Sequence, residues 1–288
     1  MPAELIMRIE MLLILLIFMG FALAELLRTQ LFRKPGQRRK DAVVEAVSSV
    51  LLAFVTQPAV LLASGALMAL ALPEHCDALA ALPVLAQVGL LLVFDDLTQY
   101  GWHRLSHNVP WLYALHRPHH DAPYMSIRIV YRNNFFYYLL MPGIWFSGAL
   151  IYLGLGSVYA VYIVVKLLVI FGAHSDVRWD APLYRSRVLA PVMWLVERVI
   201  STPATHSAHH GKHAVDGVTN YKGNYGNLLF FWDVLFGTAK ITRRYPEQFG
   251  VENLPEVGAA EQLFWPLVRK RAAQTEGHAA RDEGHAPT

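Results

Sequence analysis

Thirteen histidines stand in this chain of 288 residues, and ten of them fall into a few short stretches. Residues 116–120 read HRPHH and residues 206–210 read HSAHH. Each is a His-x-x-His-His pattern, supplied by His116, His119 and His120 in the first case and by His206, His209 and His210 in the second. His103 and His107 are four residues apart. On a helix that spacing puts both imidazoles on one face, where they can share a metal ion. Consecutive histidines such as His119 and His120 point in different directions on a helix, so they can serve two neighbouring metals. His174 joins the group if its segment ends on the same side of the molecule, and His213, four after His209, is placed as a tenth ligand or a supporting residue. Structural zinc closes at four ligands, so eight or nine imidazoles point to two metals. Imidazole suits iron, zinc, copper and nickel alike, and ligand type alone does not choose among them. A merely polar, pH-sensitive surface does not account for the repeated pattern. His75, His278 and His285 are isolated and are read as solvated.

Ligating histidines usually donate their second ring N–H to a carboxylate or carbonyl. Asp96, Asp176, Asp216 and Asp233 are candidates for that duty, and Asn220 and Asn224 for orienting a water or a ligand.

The segments that must position these residues are strongly apolar. The composition is 55% hydrophobic and only 16% charged, with a mean hydropathy of +0.32. Soluble domains average about 25% charged, so the long apolar runs read as membrane spans. Spans are expected at about 5–27, 44–72 and 81–102, with a helical hairpin over 134–153 and 157–173 that turns near Gly154 and Gly156. The first run is too long for a signal-peptide core and is read as retained. The second, interrupted at Gln57-Pro58, is either one kinked helix or a re-entrant pair. The expectation is an all-α polytopic membrane protein, with about four or five transmembrane helices and a histidine-rich helical cap. The arginines and lysines of 28–40 place that loop in the cytoplasm by the positive-inside rule. Counting spans from there brings His103, His107, His116–His120, His174 and His206–His210 to the same, cytoplasmic, face. The aromatic stretch 131–140 reads as an interfacial belt, 188–200 as an interfacial or packed helix, and the tail from about 272 as disordered.

Several classes are excluded or argued against, a histidine-rich metal transporter remaining the lesser alternative. The single cysteine, Cys76, permits no internal disulfide and no cysteine-based metal cluster. A net charge of +3, placed at span ends, does not fit a nucleic-acid binder. A metal transporter would carry its ligands near the bilayer midplane rather than at one edge, and no His-Glu-x-x-His supplies the base of a zinc hydrolase.

The stretches DLTQYGWHRLSH (96–107), HRPHH, HSAHH and NYGNLLFFWDVLFGT (224–238) together resemble the fatty acid hydroxylase/sterol desaturase superfamily, over roughly residues 90–240. The resemblance implies an oxidoreductase with two iron ions held by histidine, O2 as co-substrate and a membrane lipid as substrate. His103, His107, His116, His119, His120, His206, His209 and His210 carry over as iron ligands, and His174 fills the place of the further histidine after the hairpin. Hydroxylation is the expected outcome and desaturation at the same site the alternative. Electrons are expected from a separate electron-transfer protein or reductase. The expected organisation is an N-terminal membrane region (1–90), a hydroxylase-like catalytic region (91–245) and a C-terminal segment (246–288). The expected location is a bacterial inner membrane.

Overall fold

A computed structural model describes residues 3–269. Among them there is no β-strand; the only strand-like pairings are two isolated bridges, Ile200 with Leu229 and Gly211 with Phe249. Leucine-rich sequence with few β-branched interruptions makes the first helix, Ala3–Arg28. Its 26 residues reach about 39 Å, more than a bilayer's hydrocarbon core. Among the described residues, three stretches are long and apolar enough to cross a membrane: Arg8–Arg28, Arg39–Ala71 and Pro142–His174. Their leucines and valines face outward (Leu12, Leu16, Leu62, Leu70, Val161), as a surface bathed in lipid requires.

The stretch 39–71 is one continuous helix, not a re-entrant pair. Pro58 has no N–H to donate, and the chain accommodates it by widening into a π-turn at Leu52–Thr56 just before it. The stretch 142–174 does double back, as Gly154 and Gly156 led us to expect. Gly154 has φ +104°, and a Cβ there would lie 2.8 Å from that of Ala80. The carbonyls of Tyr152 and Leu153 accept from the backbone N–H groups of Asp77 and Leu79, so the turn is clamped to the loop after residue 71. The hairpin's first limb starts at Pro142, not at 134, and is too short to cross a bilayer by itself. Gly148 lets it press against the 57–71 segment, where a Cβ would meet Ser64 at 2.7 Å.

The helix expected at 81–102 runs from Val84 to Asn108 with a π-turn at Leu92–Leu97. Its second half, including Asp95, Asp96 and Arg104, is too polar for it to count among the apolar stretches. Its upper part lies between the two limbs of the hairpin. Residues Ala190–Val199 form the short helix expected there, with Val192, Trp194 and Leu195 outward and Glu197 inward on Arg243. The tail from about 272 lies outside the described residues.

The basic loop 28–40 is not the solvated linker or simple flanking charge its composition suggests. Lys34 is buried against Glu25 and Asp176, and Arg38 bonds Asp41 and Asp121. Fully buried Arg132 also reaches Asp41, at 2.8 Å. These pairs bind the N-terminal helices to the segments that follow His120 and His174.

Candidate metal centre

Four helices bring the histidines together. Thr98–Asn108 carries His103 and His107, and Pro110–His120 carries His116, His119 and His120. His174 is the last residue of Gly156–His174. Pro203–His210, which carries the remaining three, begins at a capping box in which Thr202 and Thr205 satisfy each other's backbone N–H groups. The nine imidazoles form two sets. His103, His107, His116, His120 and His209 make one; His119, His174, His206 and His210 make the other. Within each set one nitrogen per residue lies within 4.8 Å of all the others. Neighbours in sequence part company: His119 and His120 belong to different sets, as do His209 and His210. The sets are contiguous, the rings of His120 and His210 stacking at 4.4 Å.

The ring nitrogens fit a metal. Nε2 of His209 lies 3.0 Å from Nε2 of His103, and Nε2 of His206 lies 2.8 Å from Nε2 of His174. The opposite nitrogens are tied outward. Nδ1 of His103, His119, His174 and His209 donates to the carbonyls of Tyr225, Ile129, Ile170 and Gly223 at 2.7–3.0 Å. Nδ1 of His116 donates to Asn133 Oδ1 at 2.8 Å. A ring whose Nδ1–H is spent in this way presents an Nε2 lone pair to the interior. His107 Nε2 and His206 Nδ1 are buried with no protein partner. Burial, reinforced by the neighbouring imidazoles, pushes His119, His120 and His210 well below the usual histidine pKa. The rings are therefore neutral near pH 7, the form that binds metal.

Among the described residues, none of the six candidate supporting side chains hydrogen-bonds to an imidazole. Asp96 accepts from Leu229 N and Trp232 Nε1, and Asp176 pairs with Lys34. Asp216 caps the backbone of Val218 and Thr219. Asp233 accepts from Tyr225 N, Gly226 N and Thr238 Oγ1. Asn220 bonds Asn224, which donates to Thr205 O and Lys240 O. Asp233, Asn220 and Asn224 act one step removed, by holding the loop whose carbonyls at Gly223 and Tyr225 receive His209 and His103. His213 belongs to neither set; it is half-exposed and bonded to Glu252 and Gln248. Asn133 was missed from the sequence because nothing in its spacing distinguishes it from a turn residue.

The family model for fatty acid hydroxylase matches residues 88–238, over half of the chain and all nine clustered histidines. The chain belongs to the fatty acid hydroxylase family. Among curated proteins, an alkylglycerol monooxygenase of Danio rerio is 28% identical over 192 residues, covering 63% of this chain and 37% of that protein. The alkylglycerol monooxygenase of Homo sapiens is 29% identical over 143 residues, 50% of this chain and 28% of the relative. An ornithine lipid hydroxylase of Rhizobium tropici is 27% identical over 194 residues, 65% of this chain and 52% of the relative. The chain thus spans about half or less of the length of each of these relatives. No solved structure matches it.

Two recesses reach the histidines of this fatty acid hydroxylase family member. A chamber of about 100 Å³ lies among the apolar helices and touches His103, His116, His119 and His174. Its walls include Leu52, Met141, Ile144, Ile163 and Ile170. Tyr131, Tyr137 and Tyr138 also line it, so these aromatics face the chamber instead of forming an interfacial belt. Tyr137 stacks on His116, with ring centroids 4.8 Å apart. A second, polar recess of about 300 Å³ reaches His107 and His120 beside Lys212, Tyr221, Lys222 and residues 250–254.

Proposed function

We propose that this protein is a membrane-embedded lipid hydroxylase in which each histidine set holds one iron ion. The observation that carries the reading is the convergence of nine imidazoles, eight buried and His107 half-buried, in sets of five and four, at the end of an apolar chamber. Iron bound there would supply the redox chemistry that couples O2 reduction to cleavage of an unactivated C–H bond. The overall change, RH + O2 + 2 e⁻ + 2 H⁺ → ROH + H2O, requires two electrons, and we assign their delivery to a separate electron-transfer protein or reductase.

The chain's own residues do the rest. The carbonyls of Tyr225, Ile129, Ile170 and Gly223 retain the Nδ1 protons and fix the ring orientations, so that little rearrangement is needed for metal to bind. Ile163, Ile170 and Met141 line the chamber with hydrocarbon, which receives a lipid chain and keeps water away. The lipid-facing leucines set the chamber within reach of the bilayer. Lys34 and Arg38 bond Asp176 and Asp121, each close after a clustered histidine. The basic loop and the centre therefore share one end of the bundle, which the positive-inside rule makes cytoplasmic. Hydroxylation is favoured over desaturation because the relatives are named monooxygenase and hydroxylase.

The test is metal content by mass spectrometry of the detergent-purified chain, followed by lipid analysis of cells that express it. About two irons per chain and a lipid heavier by one oxygen are expected. A chain that binds no iron after reconstitution would overturn the proposal.

A further inference from the structure

The helix that carries His103 and His107 extends into the chamber, and one turn before His103 it presents Gln99. Three positions spaced by four, Gln99, His103 and His107, therefore share one face. Gln99 Oε1 is buried and has no hydrogen-bond partner, and its amide nitrogen makes no bond either among the described residues. Elsewhere on the chamber wall Ser147 Oγ is likewise buried without a partner, whereas two other side chains are matched. Asp95 accepts from Lys166 and from the Tyr162 hydroxyl, and Asn133 bonds His116 and Tyr138. Asn227, also on the wall, makes no side-chain hydrogen bond among the described residues.

A buried amide oxygen left unmatched is costly to a fold, and such groups in native proteins call for an explanation. A chamber meant for bare hydrocarbon would be served better by leucine at position 99. Gln99 offers one acceptor and two donors, whichever way its amide is turned. Its complement is a hydroxyl or an amide, groups that both donate and accept. The spacing then limits the chemistry. Four residues of helix rise about 6 Å along the axis, so a polar group held at Gln99 leaves only a few bonds between it and the carbon facing His103.

We propose that Gln99, with Asn227 beside the same chamber, is a specificity site for a lipid bearing a hydroxyl or amide group, and that the carbon oxidised lies a few bonds from that group. The substrate is then a functionalised lipid oxidised near its polar group, not an alkyl chain oxidised at its far end. The position of oxidation rests on the hydroxylase reading; the binding preference does not.

The test is competition against radiolabelled hexadecan-1-ol on the full chain in detergent, with unlabelled hexadecan-1-ol, N-methylhexadecanamide and hexadecane as competitors. Alcohol and amide are expected to compete about tenfold more strongly than the alkane, the size of one neutral hydrogen bond. Gln99→Leu is expected to abolish that preference while retaining alkane binding. Its melting temperature should equal or exceed that of the parent, because an unmatched buried polar group has been removed. Gln99→Met, similar in length and lacking the amide, should behave the same way. Equal competition by alkane and alcohol in the parent, or a preference that survives both substitutions, would overturn the proposal. Iron content of the same preparations separates the two readings. A preference for alcohol in a chain that holds no iron keeps the binding site and removes the hydroxylase; two irons with no preference does the reverse.

Discussion

The five-histidine set and the four-histidine set share two helices, Pro110–His120 and Pro203–His210, yet their surroundings differ. The four-set, His119, His174, His206 and His210, is buried and meets the apolar chamber through His119 and His174, with none of its members on the polar recess. The five-set meets the chamber through His103 and His116 and also the polar recess through His107 and His120. One set therefore borders the apolar chamber alone, and the other borders that chamber on one side and the polar recess on the other. Two sites with the same ligand chemistry can differ in how readily they exchange metal, water and protons solely through what covers them.

The sharpest way to break this comparison is to remove one histidine from each set. His209→Ala and His206→Ala are each expected to lower bound iron from about two to about one per chain and to reduce product formation more than a hundredfold, measured by metal analysis and lipid mass spectrometry. If either substitution releases both ions, the two sets are one site. A gentler test is chelation. With excess chelator the metal should leave in two phases, the faster from the five-set, because His107 and His120 border the polar recess. A single phase would erase the distinction.

Supporting residues sharpen it further. Asn133→Leu removes the acceptor for His116 Nδ1 and should weaken metal binding in the five-set by about 10- to 100-fold. It should leave the four-set unchanged, since His119 is held by a backbone carbonyl, and a metal titration of the variant reads both. The smallest effect concerns the cover of the polar recess. Bonds to Glu252 and then Gln248 raise the His213 pKa above its ordinary value. That clasp is complete below about pH 6.5 and is lost as pH rises through the raised pKa. Hydrogen exchange over residues 248–252 should be slower at pH 6 than at pH 8, and His213→Ala should remove the difference.

What could be read from the sequence follows from how each feature is encoded. The convergence of the nine histidines was legible because their type and spacing mark them out, and the different directions of His119 and His120 allowed for two sets. The turn at Gly154 was legible because only glycine readily adopts its backbone conformation. The support of the imidazoles was not, because four of the five acceptors are backbone carbonyls, which every residue possesses. The sequence offered Asp96 and Asp233 in their place, and both hold the backbone or ring N–H groups of the 224–238 region instead. Lys34 and Arg132 were equally hidden: a basic residue near a span end reads as a membrane-flanking charge, and only the fold shows the carboxylates that surround it.

Glu25 bears on how the protein can be made. Its carboxylate accepts from Ser126 Oγ, Ile127 N, Ser175 Oγ and Asp176 N, and it pairs with Lys34. During synthesis only Lys34 is available early; the last of the others emerges some 150 residues after Glu25 itself. Conversely, a fragment trimmed to the family-matched stretch 88–238 would leave those four donors without their acceptor. The boundary across which relatives resemble one another is therefore not a boundary at which this chain can be cut, and the first helix is a late-closing keystone of the segments that carry the histidines.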